Sequence, residues 1–366
     1  MTRLHNFSAG PAALPLPVLE ELGGVLQEFG EMGAGIMEIS HRSKAFTDVS
    51  ERAEERLRRL LGIPEGYAVV MLQGGASLQF YMSALNLLGP EDGADFIITG
   101  VWSEKALKEA KRVSRSTALW TPSDGLFNRV PADGTYMVSS DATYVHYTTN
   151  NTIFGTQFQS TPDVGAKPLI ADMSSDICSR PVDVSKHAVI YAGAQKNLGP
   201  SGVTVVILSP WAQQRSRERS KSMGGLPSML DYGLMADKKS LFNTPNTLGI
   251  YTLERVLAWI EDQGGLESMA AQNNGKAAKL YAALDKTDFW RPHAQDGSRS
   301  RMNVTWRGPS DEAEKTFLQE ADAAGLKALK GHRSVGGIRA SIYNACPEES
   351  VDALVDFMEK FEKKHG

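Results

Sequence analysis

Residues Tyr191–Gly202, which read YAGAQKNLGPSG, hold a single lysine between two apolar segments. The segment Ala188–Tyr191 leads into this stretch, and the segment Val203–Leu208 follows it. Both segments are typical of buried strands, so Lys196 is predicted to lie on a tight bend between two strands. Partial desolvation disfavours the ammonium form, and a free amine can form a Schiff base with an aldehyde. The alternative is an ordinary surface lysine in a hairpin.

An acidic residue upstream strengthens the interpretation of Lys196 as a functional residue. Asp172 ends a predicted buried strand in the stretch Leu169–Ser175, LIADMSS. A carboxylate at this place can pair with the pyridinium nitrogen of pyridoxal phosphate and make the ring an electron sink. Taken alone, Asp172 could be a helix N-cap or a loop acid. The strand-end acid and the strand-turn lysine together favour a pyridoxal phosphate site.

The composition limits the class of protein. The chain has 366 residues, 42% of them hydrophobic and 22% charged, with a formal net charge of −4. This charge gives no electrostatic reason to expect nucleic acid or an anionic membrane as a partner. Two cysteines, Cys178 and Cys346, argue against a disulfide scaffold and fit a reducing compartment. The N-terminus lacks the apolar region of a secretory signal, so we expect a cytoplasmic protein.

Strand and helix patterns alternate along most of the chain, which is typical of an α/β fold. The strongest helical pattern is Thr47–Leu61, whose charged face is predicted to form the pairs Glu54–Arg58 and Glu55–Arg59. We predict an N-terminal arm (1–15), a large domain (16–265) and a small α+β domain (266–366). No metal site is predicted.

Two positions after predicted strands are candidates for cofactor contacts. A Gly-rich turn, Gln73–Ser77, precedes a helix predicted for Ser77–Leu88 and would present backbone N–H groups to a phosphate. A bare Gly-Gly turn is also common without such a function. Trp102 follows Gly100 after a predicted strand, where an indole can stack on a pyridine ring. Its alternative is a core tryptophan.

Basic residues are grouped at two places that could bind anions. The pair His41-Arg42 lies between predicted helices, where it could also be a solvated loop. Arg333 and Arg339 flank a Gly-Gly pair and could hold two anionic groups of one ligand. Because an unpaired cation in a strand is costly, Arg339 needs an acidic partner, which could be a ligand or another residue of the protein.

Three motifs give the chain a close resemblance to the phosphoserine aminotransferase family. They are GAQKN at 193–197, NFSAGPA at 6–12 and FNTPNT at 242–247. The family belongs to class V of the fold-type I pyridoxal phosphate enzymes. The resemblance implies a large domain with a mainly parallel sheet flanked by helices, and a smaller α+β C-terminal domain.

The resemblance also implies a role for individual residues. Lys196 would hold pyridoxal phosphate and act as the catalytic base, and Asp172 would pair with the ring nitrogen. The other implied cofactor contacts are Ala76, Ser77, Trp102, Thr152, Gln195, Asn243 and Thr244. The implied substrate contacts are Ser8, His41, Arg42, His332, Arg333 and Arg339. Asn151 departs from the Asn-Glu-Thr that many members have at this place.

The implied reaction is a reversible transamination in serine biosynthesis. It converts 3-phosphohydroxypyruvate and L-glutamate to O-phospho-L-serine and 2-oxoglutarate. 4-Phosphohydroxythreonine of pyridoxine biosynthesis differs from phosphoserine by a carbon and a hydroxyl, and one pocket could accept both. In the family, residues matching Asn243, Thr244, His41 and Arg42 reach the partner subunit's site, which implies a homodimer with shared active sites.

Two other functions are compatible with part of the pattern. A cysteine desulfurase of the same fold would need a mobile nucleophilic thiol, for which Cys346 is the only candidate. A buried small residue is the better interpretation of Cys346, and Trp102 stands where desulfurases carry a histidine. A non-catalytic protein of this fold is disfavoured because Lys196, Asp172, Gln195 and Thr152 are all present.

Overall fold

The computed structural model describes residues 3–333 and 335–366. Its strands are β1 His5–Asn6, β2 Ala68–Leu72, β3 Gly93–Ile97, β4 Thr117–Trp120, β5 Ala142–Thr148, β6 Asn150–Asn151, β7 Thr156–Gln157, β8 Leu169–Asp172, β9 Val189–Gly193, β10 Thr204–Leu208, β11 Arg291–Pro292, β12 Asn303–Arg307, β13 Leu326–Lys327 and β14 Ile338–Ser341. Its α-helices are α1 Leu16–Val25, α2 Lys44–Leu61, α3 Gly75–Leu87, α4 Val101–Ala110, α5 Pro210–Ser222, α6 Tyr232–Asp237, α7 Thr247–Asp262, α8 Gly265–Asp285, α9 Asp311–Ala323 and α10 Glu348–His365.

A seven-stranded sheet forms the centre of the molecule, in the order β2-β10-β9-β8-β5-β3-β4. The pairs β9–β8, β8–β5, β5–β3 and β3–β4 are parallel, whereas β10 runs antiparallel to both of its neighbours. The sheet is therefore mainly parallel and flanked by helices. This confirms the predicted α/β fold class.

Both faces of the central sheet are buried. In β10, Val205 and Ile207 belong to one apolar cluster, whereas Val206 and Leu208 belong to the other. Helices α2 and α7 contribute to the first cluster, and α3 and α4 contribute to the second. A sheet with helices on both faces requires such strands, because successive side chains point to opposite sides and each side meets an apolar layer.

Helix α2 follows its sequence pattern on the apolar face and departs from it on the charged face. The Ser43 hydroxyl accepts a hydrogen bond from the Phe46 N–H and caps the helix. Glu54 pairs with Arg58 as predicted. Arg59 pairs with Glu261 of α7 instead of Glu55, so that prediction was wrong. The sequence spacing could not reveal this pair because α7 is about two hundred positions away.

A second, smaller sheet supports the C-terminal part of the chain. Strands β11, β12 and β14 pair antiparallel, and helices α8, α9 and α10 form an apolar cluster with β12 and β14. Phe7 belongs to this cluster and is fully buried, so the N-terminal arm is part of the same core. Among the described residues, no helix combines the length and apolar character that crossing a membrane requires.

The topology brings several strand ends to one edge of the central sheet. The parallel strands β5, β8 and β9 end at Thr148, Asp172 and Gly193. Loops beyond the carboxyl ends of parallel strands are where α/β folds bind ligands. The N-terminal arm joins this edge, because the Ala12 N–H donates to the Gln195 carbonyl at 2.9 Å.

Candidate active site

A cavity of about 320 Å³ opens at this edge of the sheet. It collects residues from strand ends that are far apart in sequence. The predicted site residues that line it are Ala76, Ser77, Trp102, Thr152, Asp172, Gln195, Lys196, His332 and Arg339. A concave site with a few convergent polar groups is the usual form of a small-molecule pocket.

Lys196 lies in the turn between β9 and β10, as the sequence predicts. Its Nζ is 2.6 Å from the Thr152 hydroxyl. Burial lowers the pKa of Lys196 to about 8; Asp172 opposes this shift, and Arg339 adds to it. An appreciable fraction of the lysine is therefore a free amine near neutral pH, as a nucleophile or base requires.

The pKa of Lys196 gives a direct prediction. In the cofactor-free protein, modification of Lys196 by an amine-selective reagent should reach half its maximal rate near pH 8, because only the free amine reacts. Peptide mapping across a pH series measures this rate. Asp172→Asn should move the midpoint to lower pH, since Asp172 favours the ammonium form. A midpoint at the ordinary lysine value would contradict the assignment.

Asp172 ends β8 and lines the same cavity. Its carboxylate accepts a hydrogen bond from the Ser174 N–H at 2.9 Å and is only 4% exposed. Burial raises the pKa of Asp172, whereas Ser174 and Lys196 favour the charged form. A protonated ring nitrogen placed here would supply the positive partner that a buried carboxylate needs.

Helix α3 begins at Gly75, two residues before the predicted start. Ala76 and Ser77 therefore lie in its first turn and line the cavity. Gly74 at the N-cap has a φ of +91° and provides no side-chain cap, unlike Ser43 at α2. The first backbone N–H groups of α3 are left for a ligand, and a phosphate is the anion that such a helix start binds best.

Trp102 and Thr152 are positioned by the same buried residue, Asn151. Its amide N–H donates to the Thr99 carbonyl at 2.9 Å, and its oxygen accepts from the N–H groups of Ile153 and Phe154, each at 3.1 Å. Gly100 leaves the space that the Asn151 amide fills. Asn151, which stands where many family members have a glutamate, therefore forms an ordered turn. Its side chain also connects the loop before Trp102 to the loop that carries Thr152.

Buried polar atoms without protein partners test whether the cavity fits pyridoxal phosphate. Among the described residues, Trp102 Nε1, Thr148 Oγ1 and Arg339 Nε have none, and all three side chains line the cavity. Buried polar groups are normally paired, so these atoms indicate a polar ligand. Together with the open start of α3, Asp172 and Lys196, the donor set fits a phosphate, a pyridine ring and an aldehyde.

Arg339 is the residue that most clearly indicates an anionic substrate. It lies on β14, and its Nη1 donates to the Thr152 carbonyl at 3.3 Å. Over the part of the chain that the structure describes, it forms no salt bridge with an acidic residue. Burial lowers the pKa of Arg339. The described residues therefore provide no internal salt bridge for Arg339, and we expect its acidic partner to be a carboxylate or phosphate of a ligand.

Six of the predicted residues do not line this cavity. Arg333 lies with His332 along a neighbouring groove beside α9. His41 and Arg42 precede α2, and Asn243 and Thr244 precede α7. Ser8 is in the N-terminal arm, where its N–H donates to the Asn6 side chain. The assignment of these six residues to the site stays a prediction.

Sequence reasoning missed other residues of the cavity wall. Ala9 and Gly10 of the arm, Thr148 at the end of β5, and Ser174 after Asp172 all line it. The strand-end position that identified Asp172 applies equally to Thr148. Ala9 and Gly10 could not be found in this way, because the arm reaches the site through tertiary contacts such as that between the Tyr343 hydroxyl and the Ala9 carbonyl.

Cys346 does not meet the requirements of a desulfurase nucleophile. It is 4% exposed, and burial raises the pKa of its thiol to about 11. Cys346 is not among the residues that line the cavity. A reactive cysteine needs a lowered pKa and an accessible sulfur. The structure therefore disfavours the desulfurase alternative.

Comparisons with known proteins agree with this site. The model of the aminotransferase class-V family matches residues 4–354. Phosphoserine aminotransferase of Geobacillus kaustophilus is 51% identical over 365 residues, covering 100% of this chain and 99% of that protein. The protein of the same name from Desulfotalea psychrophila is 50% identical over 359 residues, covering 98% of each.

Solved structures give the same result. Phosphoserine aminotransferase from Bacillus circulans subsp. alkalophilus superposes with a TM-score of 0.95 at 46% identity, covering 100% of this chain and 99% of the other. The pyridoxal phosphate-bound phosphoserine aminotransferase from Trichomonas vaginalis has a TM-score of 0.89 at 38% identity, covering 98% and 100%. The chain therefore belongs to the class-V aminotransferases and, within them, to the phosphoserine aminotransferase family.

Proposed function

We propose that this protein is a pyridoxal phosphate-dependent phosphoserine aminotransferase. It transfers the amino group of L-glutamate to 3-phosphohydroxypyruvate and yields O-phospho-L-serine and 2-oxoglutarate. The observation that carries the proposal is Arg339, a half-buried cation without an acidic partner among the described residues. Arg339 shares one cavity with the low-pKa amine of Lys196 and the buried carboxylate of Asp172.

The bound cofactor supplies an aldehyde carbon that carries the amino group and a ring that accepts the electron pair released at the substrate Cα. The first turn of α3 would hold the phosphate through backbone N–H groups. The Asp172 carboxylate would keep the ring nitrogen protonated, and the indole of Trp102 would provide an aromatic surface for the ring. The Thr152 hydroxyl, 2.6 Å from Lys196 Nζ, orients the amine.

The substrate is held at its charged ends, and one residue moves the proton. Arg339 binds the α-carboxylate through its guanidinium fork. His332 and Arg333 bind the phosphate of phosphoserine or the side-chain carboxylate of glutamate. Lys196 Nζ takes the proton from Cα of the donor amino acid as a general base, and in the second half-reaction its ammonium form gives a proton to Cα of the amino acid that is formed. Burial of Asp172 in the cavity wall strengthens its electrostatic contacts.

The assay that tests the function measures 2-oxoglutarate formed from L-glutamate and 3-phosphohydroxypyruvate in the presence of pyridoxal phosphate. We expect turnover with this pair and, in parallel reactions, turnover of 4-phosphohydroxythreonine, whose phosphate and carboxylate match the same cations. Release of sulfide from L-cysteine without any transamination would identify a desulfurase instead.

The unpaired cysteines suit a cytoplasmic enzyme.

A homodimer with shared sites is part of the proposal. His41, Arg42, Asn243 and Thr244 do not line the cavity of their own chain. The large apolar side chains of Met37 and Phe242 beside these positions are 58% and 38% exposed. A second copy that covers them would place the four polar residues at the site of its partner.

Mixing two inactive variants tests the shared site. Lys196→Ala and Arg42→Ala should each be strongly impaired as homodimers. A hybrid of the two should contain one site with both defects and one intact site. Random exchange of subunits should therefore restore about a quarter of the wild-type activity. If Arg42 served the site of its own chain, no hybrid site would be intact and mixing would restore nothing.

A further inference from the structure

One cation at the rim of the cavity was not identified from the sequence. Lys105 lies one turn after Trp102 on α4, and its Nζ is 4.6 Å from the centroid of the Trp102 ring. Its side chain is exposed and forms no salt bridge with any residue of the described ranges. An ammonium over an indole face is held by the ring quadrupole. Lys105 therefore stays beside a residue of the cavity wall.

The charge of Lys105 reaches His332, although the acidic side chain of Glu104 lies next to Lys105 on α4. Burial lowers the pKa of His332, and the positive charges of Arg339, Arg333 and Lys105 lower it further. His332 and Arg339 line the same cavity as Trp102. Asp172, the acid of this cavity wall, lies at the sheet edge near Lys196. The rim therefore carries an excess of positive charge, which suits a ligand with more than one negative charge.

We propose that Lys105 is a specificity-determining residue that favours phosphorylated substrates over dicarboxylates. The inference rests on the proposed function and deepens it. A phosphate monoester carries about −1.5 to −2 charges at pH 7, whereas the side-chain carboxylate of glutamate carries one. A cation at the rim gains more from the phosphate by Coulomb attraction. The aromatic face of Trp102 keeps the ammonium at the rim while its stem stays flexible.

The test compares two lysines of the same helix. Lys105→Gln removes the charge and keeps a polar side chain of similar size. Lys108→Gln is the matched control, because Lys108 is also an exposed lysine of α4. For each variant, kcat and KM are measured with O-phospho-L-serine and with L-glutamate at low and at high ionic strength. The inhibition constant of inorganic phosphate is measured in parallel.

We expect Lys105→Gln to raise KM for phosphoserine roughly threefold to fivefold at low salt and KM for glutamate less than about twofold. Phosphate inhibition should weaken similarly, kcat should stay nearly constant, and high salt should reduce the difference. Lys105→Arg should keep the wild-type preference, and Lys108→Gln should resemble the wild type.

Equal changes in KM for both substrates, or equal effects of Lys105→Gln and Lys108→Gln, would overturn the role of Lys105 and leave the proposed function intact. No effect of Lys105→Gln on phosphoserine would do the same. If the wild-type protein did not turn over phosphoserine, the proposed function would fail and this inference would fail with it.

Discussion

Replacing Lys196 with alanine is expected to reduce transamination by about 10⁴-fold or more, because the variant lacks the amine that holds the cofactor and moves the Cα proton. The residue lies in a cavity with Asp172 and Thr152, and no other lysine of the ranges 3–333 and 335–366 lines that cavity. The reaction of L-glutamate with 3-phosphohydroxypyruvate, followed over several hours, measures the loss. The visible absorption of the cofactor should change with it.

The folded state should tolerate this change. Burial lowers the pKa of Lys196 to about 8 although Asp172 favours the ammonium form, so the protein environment is on balance less favourable to that form than water is. Removing the amine should therefore leave the melting temperature unchanged or slightly higher. Lys279→Ala offers a control on the surface, since Lys279 forms salt bridges with Glu348 and Asp352 far from the cavity. Activity of Lys196→Ala above a hundredth of the wild type would contradict the assigned role.

Replacing Arg339 with glutamine is expected to lower kcat/KM about 10²- to 10³-fold for both amino-acid substrates. The reason is that the α-carboxylate of the bound substrate would lose its positively charged partner. Both substrates carry an α-carboxylate, so their losses should be similar. Steady-state kinetics with phosphoserine and with glutamate measure the effect. This pattern differs from that of Lys105, which should affect phosphoserine more.

Stability should respond in the opposite direction from activity. Arg339 has a buried Nε without a partner and no acidic partner among the described residues, so its replacement removes an uncompensated buried charge. Arg299 is the matched control: its Nε is also buried without a partner, but its guanidinium is bonded to both oxygens of Asp285 and lies over the Tyr281 ring. Arg299→Gln should lower the melting temperature and keep kcat/KM. Loss of stability without loss of kcat/KM in Arg339→Gln would show that Arg339 is a structural residue.

The sequence predicted the fold and the centre of the site because both depend on local rules. Apolar runs separated by turns indicated the strands, and the carboxyl ends of parallel strands meet at one edge. These rules predict that Asp172 and Lys196 belong to one site. Motif similarity then added Ala76, Ser77, Trp102, Thr152 and Gln195, all of which line the cavity.

Long-range contacts explain what the sequence could not predict. Arg59 pairs with Glu261 rather than Glu55 because α7 packs against α2. The role of Asn151 depends on the Thr99 carbonyl and on the space left by Gly100. Only the packed structure reveals that no acidic residue in the described part of the chain pairs with Arg339.

The domain boundaries and the contacts with a partner subunit stay predictions. The division into 1–15, 16–265 and 266–366 stays a prediction, although the apolar cluster of Phe7 with β12, β14 and α8–α10 agrees with a separate C-terminal core. The partner contacts of His41, Arg42, Asn243 and Thr244 await the subunit-mixing experiment.

The most direct test of the central claim is an absorption spectrum of the cofactor-loaded protein before and after addition of O-phospho-L-serine, without any oxo acid. We expect an absorption band at about 410 nm to be replaced by one at about 330 nm, as is usual for this cofactor when it accepts an amino group. One equivalent of 3-phosphohydroxypyruvate should form at the same time. Addition of 2-oxoglutarate should reverse the change. A spectrum that ignores phosphoserine, or a protein that binds no cofactor, would contradict the account.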